Sequence, residues 1–374
     1  MMPAMLLLSR FFVAVRGVKG ASREAGPQHL LMRWLAALRV LVALNTPAAI
    51  QHPPQFSDFQ EAFRKGFTNE AGIEAQVEVF AASALSESEM RRILAGTNVD
   101  ALIGAGLQGR LADPLDITLL QKAAQISPTN PVAWSALIYR RLSLFANGLG
   151  DPQPTKMQCR REIRRLQMLD PSNSVPIYLE AFLDSEETNL TAAKALVIRA
   201  AQTPGFDTYT SVLQDCVKRA LESAGYPAYT ARIIASSTAP GVVCWSKLNR
   251  SILATPVSEE EIKSCLLLAD RVSAGKTFLD ELVGDSMQTK AMDKMPKQNW
   301  ADRRGRIATR KAFIKVATRY LESDRARRAT EAQWVQYYDK VFATGEGDAV
   351  KWLAHELGDS FISQNQVETG APGR

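Results

Sequence analysis

The sequence predicts an all-α fold of stacked helical hairpins with a helical C-terminal extension, and three observations predict it. Helix formers dominate, while runs alternating apolar and β-branched residues with polar ones are nearly absent, so the strand period has no carrier. Gly and Pro fall between the apolar runs, as punctuation. Within residues 115–235 an apolar helical run ends three times at a proline, Pro128, Pro171 and Pro204, and a second run starts a few residues later.

Each proline closes a helix, because it lacks the N–H and its ring clashes with the preceding turn. Asn130, Asn173 or Ser174, and Asp207 then stand where an N-cap is needed, their oxygens able to accept the free N–H groups of the next first turn. Eight residues before the prolines come Leu120, Ile163 and Leu196, and six residues after them Trp134, Ile177 and Thr210. The runs are amphipathic at helical spacing, as in Val132, Leu137, Leu142 with Trp134, Ile138, Phe145, and in Val212, Cys216, Ala220 with Leu213, Val217, Leu221. A lone helical pair cannot bury such a face and must pass it to a neighbour. A generic bundle with proline-ended helices would carry the same punctuation.

The spacing Pro128 to Trp134 in Ser-Pro-Thr-Asn-Pro-Val-Ala-Trp, its echo at 170–178, and small residues at Ala123, Ala124, Ala192 and Ala200 resemble the tetratricopeptide (TPR) repeat family in degenerate form. The pitch is 43 residues from Pro128 to Pro171 and 33 from Pro171 to Pro204, against about 34 in that family. An insertion around 147–155 accounts for the longer interval, and the small residue expected ten positions after each proline is Ile138, Ala181 and Gln214, matching once. The resemblance implies a TPR-like α-solenoid binding a protein or peptide in a concave groove lined by the first helix of each pair. Carried over by position, the partner-binding residues are Ser135 and Tyr139, Tyr178 and Phe182, then Ser211 and Asp215. Tyr178 and Phe182 read equally well as core aromatics.

Charge argues against one class of partner. The chain carries +6 overall; residues 1–57 hold Arg10, Arg16, Lys19, Arg23, Arg33 and Arg39 against Glu24, or +5, leaving +1 for the rest. A nearly neutral body is not the footprint of a nucleic-acid binder. The cysteines, Cys159, Cys216, Cys244 and Cys265, form no C-x-x-C pair, and three of them sit in apolar helical context, as buried thiols do.

In chain order, residues 1–52 read as a basic, apolar leader or targeting segment. Its apolar blocks 4–15 and 30–44 are each interrupted by Arg, so neither is a clean span of about twenty apolar residues. Translation from Met32 would give a secretory signal; translation from Met1 would give an organelle import signal or a membrane-surface helix. Export or cell-envelope attachment is the expectation, with a cytoplasmic or organelle-imported chain as the alternative.

Residues 53–112 are expected as short N-terminal helices and a Gly-rich turn, with capping boxes at Ser57/Gln60 and Ser86/Glu89 and a helix stop at Gly66. Gly104, Gly106 and Gly109 match the dinucleotide pattern G-x-G-x-x-G, but Pro114 leaves no room for the helix that must receive a pyrophosphate. They read instead as a flexible turn or as a close approach of two helices. The TPR-like helices then occupy 113–236.

The C-terminal helical region is placed at 237–363 and a disordered tail at 364–374. Residues 228–235 and 242–253 read as one more pair, broken at Gly225 and Pro240-Gly241, and Ser258/Glu261 launches a long helix through Val272. Gly275-Lys276-Thr277 has the end of a phosphate loop, but Asp270 stands where the first glycine belongs, and helix interior is the expectation. In residues 302–328, Phe313, Ile314, Ala317, Tyr320 and Leu321 share one face while Arg304, Lys311, Lys315 and Arg319 project from another. That is either a solvated outer face or a phosphate-contacting one. A closing pair, 331–342 and 349–362, carries Trp334, Tyr337, Tyr338, Val341, Trp352 and Leu353.

No local catalytic signature is present. His355-Glu356 begins the zinc-peptidase pattern, but position 359 is Asp, and no G-x-S-x-G occurs. No cofactor and no metal site are expected. The leading expectation is a non-catalytic scaffold mediating protein–protein interaction, with nucleic acid disfavoured. The alternatives are a membrane-surface module using the leader or the basic 302–328 helix, and an all-α hydrolase with a carboxylate pair that leaves no local signature.

Overall fold

The structure is a computed structural model that describes residues 53–65, 75–76, 78–80, 82–108, 114–146, 152–238, 242–296 and 298–359. Among these residues every named element is an α-helix. The leader 1–52, Gly66, Gly109, most of the insertion at 147–155, Pro240-Gly241 and the tail 364–374 lie outside the described residues.

The first helices are α1 (Phe56–Arg64), α2 (Glu87–Ala95), α3 (Val99–Gln108), α4 (Pro114–Ile126), α5 (Pro131–Ala146) and α6 (Pro152–Leu169). They continue as α7 (Val175–Glu186), α8 (Leu190–Gln202), α9 (Thr210–Ser223), α10 (Ala228–Ser236), α11 (Val242–Leu253) and α12 (Glu259–Ser273). The rest are α13 (Phe278–Asp293), α14 (Ala301–Leu321), α15 (Asp324–Arg327), α16 (Glu331–Thr344) and α17 (Glu346–Glu356). They form two compact units. One takes the described residues up to Lys122 together with Gln214–Thr238; the other takes Ala123–Leu213 and the described residues from 242 onward. The stretch 113–236, expected as a single block, is therefore divided, with the boundaries falling inside α4 and α9.

In the first unit, α1 opens with Gln55 N–H donating to Asp58 Oδ2 at 2.7 Å, so the helix starts ahead of the expected Ser57/Gln60 pair. The Ser86/Glu89 box opens α2 as expected, Ser86 N–H donating to Glu89 Oε2 at 2.9 Å. The glycine-rich stretch is not a turn but the body of α3. A Cβ on Gly104 would lie 2.1 Å from the Cys216 carbonyl oxygen, and one on Gly106 would lie 2.5 Å from Leu120 Cγ. These glycines are where backbones approach, which only a residue without a Cβ permits. The core is completed by Phe59, whose ring meets Tyr229 at 5.6 Å and Phe80 at 5.5 Å.

The second unit is built by neighbours packing in order. Helix α5 packs on α6, α6 on α7 and α7 on α8. The chain's next helix then drops out of the series: α8 packs on α12, 69 positions further along by their first residues, and α12 pairs with α13. Helix α11 lies against α7 and α13, and α14 joins α13 to α17, which pairs with α16. Periodicity marks which face of α8 is apolar, but any helix of matching shape can cover it.

Local punctuation follows the sequence at two of the three turns: Asn130 Oδ1 accepts from Val132 N–H at 2.9 Å and Asn173 Oδ1 from Val175 N–H at 3.0 Å. Asp207 is not the expected N-cap, because α9 starts at Thr210 and Asp207 Oδ1 accepts from Tyr209 N–H at 2.7 Å in the turn before it. The Ser258/Glu261 box opens α12. Gly275-Lys276-Thr277 differs from expectation: it is the turn between α12 and α13, and Thr277 is the N-cap of α13. Helix α17 starts at Glu346, earlier than the expected 349, because Gly345 at φ 102 ends α16 and allows an immediate restart.

Candidate functional site

Four of the six residues expected to line an open groove are core. Ser135, Tyr178 and Phe182 are fully buried and Tyr139 is 4% exposed. For Tyr178 and Phe182 the reason is α11, which covers the face of α7 that the repeat resemblance leaves open: the Trp245 ring lies 6.5 Å from Tyr178 and 5.9 Å from Phe206, and Phe206 lies 6.1 Å from Tyr178. Ser135 Oγ is turned to its own helix, donating to the Val132 carbonyl at 2.9 Å. Ser211 is half-buried at the start of α9. Asp215 belongs to the other unit and is held by Lys218 at 2.7 Å and by Arg219. Ser135, Tyr139, Tyr178 and Phe182 therefore line no open groove within their unit.

Two proline-ended turns meet instead. Ser174 N–H donates to the Gly205 carbonyl and Gly205 N–H to the Ser172 carbonyl, each at 2.9 Å, forming the isolated parallel bridge between Asn173 and Gly205. Asn173 reaches further, its Nδ2 donating to the Asp207 carbonyl at 2.8 Å and its Oδ1 accepting from Asp207 N–H at 3.0 Å. Tyr209 sits at φ 56, a conformation that a bulky residue adopts at a cost of about 1–3 kcal/mol. Its hydroxyl donates to Asp170 and accepts from Asn173, which fixes it there. Arg271 of α12 closes the junction, donating to Ser174 Oγ, to the Ala200 carbonyl at 3.0 Å and to the Thr203 carbonyl at 2.7 Å.

Buried charge is concentrated at two places in the second unit. On α5 and α6, Arg141 Nε donates to Glu162 Oε1 at 2.9 Å; burial pushes the Glu162 carboxyl up to about 7 against the pull of that guanidinium. Cys159 and Cys244, nearby, are pushed up to about 12 chiefly by burial.

The second place is the N-terminal half of α13. Asp285 is fully buried and ion-paired with Arg310, whose Nη2 lies 2.9 Å from its Oδ1. Glu281 lies one turn earlier on α13, and Glu346 is buried with Oε2 accepting from Phe278 N–H at 2.8 Å and Oε1 unpartnered. Burial raises all of these carboxyls, together with Asp280, and brings Glu281 and Glu346 to about 7; the Arg310 charge opposes it at Glu281 and Asp285. Lys276 of the neighbouring turn is taken internally: its ammonium donates to the Phe342 and Ala343 carbonyls at 2.9 and 3.1 Å, capping α16, and its carbonyl accepts from Glu346 N–H at 2.8 Å. Among the described residues no cluster of His, Cys, Asp and Glu is arranged to hold a metal ion.

Two outward faces remain. On α14, Ile314, Ala317, Tyr320 and Leu321 are buried as their spacing requires, while Lys311, Lys315 and Arg319 are exposed. Arg303 and Arg304 are engaged, by Asp270 at 2.6 Å and Asp293 at 3.4 Å. On α6, Met157 and Met168 are 58% and 67% exposed, and Arg161 and Arg164 between them are exposed. The sequence signal of this stripe is the spacing i, i+4, i+7, i+11, which the repeat seam of the same segment overlies.

The fold and these surfaces define an all-helical chain of two compact units, and no helix among the described residues is long and apolar enough to cross a membrane. No family model, curated protein or solved structure matches the chain.

Proposed function

We propose that the chain is a non-catalytic helical-repeat scaffold, TPR-like across 113–236, that mediates protein–protein interaction at the cell envelope. The observation that carries this reading is the turn-to-turn junction, in which Ser172, Asn173 and Ser174 bond to Gly205 and Asp207. Positions equivalent in the repeat, after Pro171 and after Pro204, lean on each other in series, as stacked hairpins must to share a core. The open side is not the Tyr178/Phe182 face, which α11 occupies. Envelope placement rests on the leader 1–52, and fractionation of the tagged full chain tests it.

A second reading, an all-α hydrolase, draws on Glu281, Asp285 and Glu346, whose raised carboxyls lie near one another as acid/base pairs do. Against it, Asp285 has no exposed surface and Glu346 supports a helix N-terminus. Affinity capture by the full chain separates the two. A scaffold retains the same partner at equal yield in wild type and in Asp285→Asn. Recovery of no partner, with turnover of a substrate that Asp285→Asn abolishes, would reverse the assignment.

A further inference from the structure

We infer that the outer face of α6 docks an acidic amphipathic helix of a partner protein. This rests on the scaffold reading and names the surface and the chemistry of its partner. Met157, Arg161, Arg164 and Met168 follow one another at intervals of 4, 3 and 4 residues, which places them within an arc of about 60° along a line of about 16 Å. The opposite face carries Cys159, Ile163 and Leu166, all fully buried, so the helix cannot turn this stripe inward.

Among the described residues neither Arg161 nor Arg164 has a carboxylate within ion-pair distance, whereas their neighbour Arg160 is paired with Asp184 at 2.6 Å and Glu187 at 2.7 Å. The only acid on α6, Glu162, is buried against Arg141. The stripe is thus cationic in the middle and apolar at both ends, with no compensating charge of its own.

Composition selects the kind of partner. Met and Arg are enriched where proteins bind one another and Lys is depleted there; Met also adapts its shape to the surface it meets. The exposed face of α14, with Lys311, Lys315 and Arg319 and no large exposed apolar side chain, is the solvated contrast. The complementary surface is a helix with apolar anchors about three turns apart and two carboxylates between them, each able to take a guanidinium in a bidentate pair.

The test uses the full-length chain and a labelled, stapled peptide helix bearing Leu at i and i+11 and Glu at i+4 and i+7, read by fluorescence anisotropy. A contact of this size is expected to bind in the micromolar range. Arg161→Glu/Arg164→Glu should weaken it at least 10-fold, and a peptide with Arg in place of Glu should bind that variant and not the wild type. Met157→Ser/Met168→Ser should also lose binding, while Lys311→Glu/Lys315→Glu should retain it. Equal binding of the acidic and basic peptides, loss with the α14 variant, or preference for anionic vesicles over the peptide overturns the proposal. So does sedimentation showing that the chain self-associates through α6. A native partner captured equally by wild type and Arg161→Glu/Arg164→Glu would remove the α6 surface and leave the scaffold reading standing. Capture by neither would remove both.

Discussion

Arg271 donates to the Thr203 carbonyl at 2.7 Å, from a helix 68 residues further along the chain. The same guanidinium serves the Ala200 carbonyl and Ser174 Oγ, so one side chain bonds the C-terminal end of α8 and the start of α7 together. The last carbonyls of a helix have no partner within it, and a cation there also meets the negative end of the helix dipole. Arg271→Met keeps the apolar stem and removes the donor to the Thr203 carbonyl and Ser174 Oγ, while the Ala200 carbonyl keeps the Thr203 N–H. Urea unfolding is expected to show a loss of about 3 kcal/mol; a change within experimental error would mean that water replaces the guanidinium at no cost.

Stability should rise on mild acidification. Glu162, Glu281 and Glu346 have carboxyls raised from 4.5 to about 7 by burial, so between those values the folded chain holds protons that the unfolded chain has released. Their contribution is greatest below 4.5 and is lost as pH rises through 7, on the order of 3 kcal/mol for a single group fully ionised. The melting temperature at pH 5.5 should exceed that at pH 8. Glu346→Gln keeps an acceptor for Phe278 N–H and should raise stability at pH 8 while leaving it unchanged near pH 5. A variant that is less stable at pH 8 would show that the ionised carboxylate is favoured in place.

Two glycines inside helices should respond oppositely to alanine. At Gly104 the added Cβ would meet the Cys216 carbonyl at 2.1 Å, and backbone must move; a loss of about 1–3 kcal/mol is expected. At Gly305 on α14 nothing lies within 4 Å, and Gly305→Ala should stabilise by about 0.5–1 kcal/mol through helix propensity and a less flexible unfolded chain. Thermal melts of the two variants beside wild type check the pair, and equal shifts would contradict the close packing of α3.

The cysteines should be inert in the folded protein. Cys159, Cys216, Cys244 and Cys265 are buried, and burial pushes each thiol up to about 12, so at neutral pH almost no thiolate exists to react. Iodoacetamide should label none of them natively and all four in urea, as counted by intact mass. Fast native labelling of any of them would mean that the thiol is open to solvent and not part of the core.

What the sequence made legible is what is local. The Ser86 and Ser258 boxes, the side-chain caps at Asn130 and Asn173, and the buried face of α14 follow from a few adjacent residues, and each stands where the pattern put it. The long-range clamps left no such trace: Arg271 and Ser174 are 97 residues apart, and Glu346 and Phe278 are 68 apart. The misplaced groove has the same origin. Tyr178 and Phe182 lie on an apolar face, and periodicity does not reveal that a distant helix, α11, would cover it.

Native-state hydrogen exchange in low urea tests the stacking most directly, read at the amides of Ser174 and Gly205. Both donate across the two turns. If the hairpins on either side form one cooperative stack, these amides should open with the same free energy as the core of α12. Exchange near the unprotected rate, while α12 stays protected, would mean that the turns only touch and that the series of hairpins is not a unit.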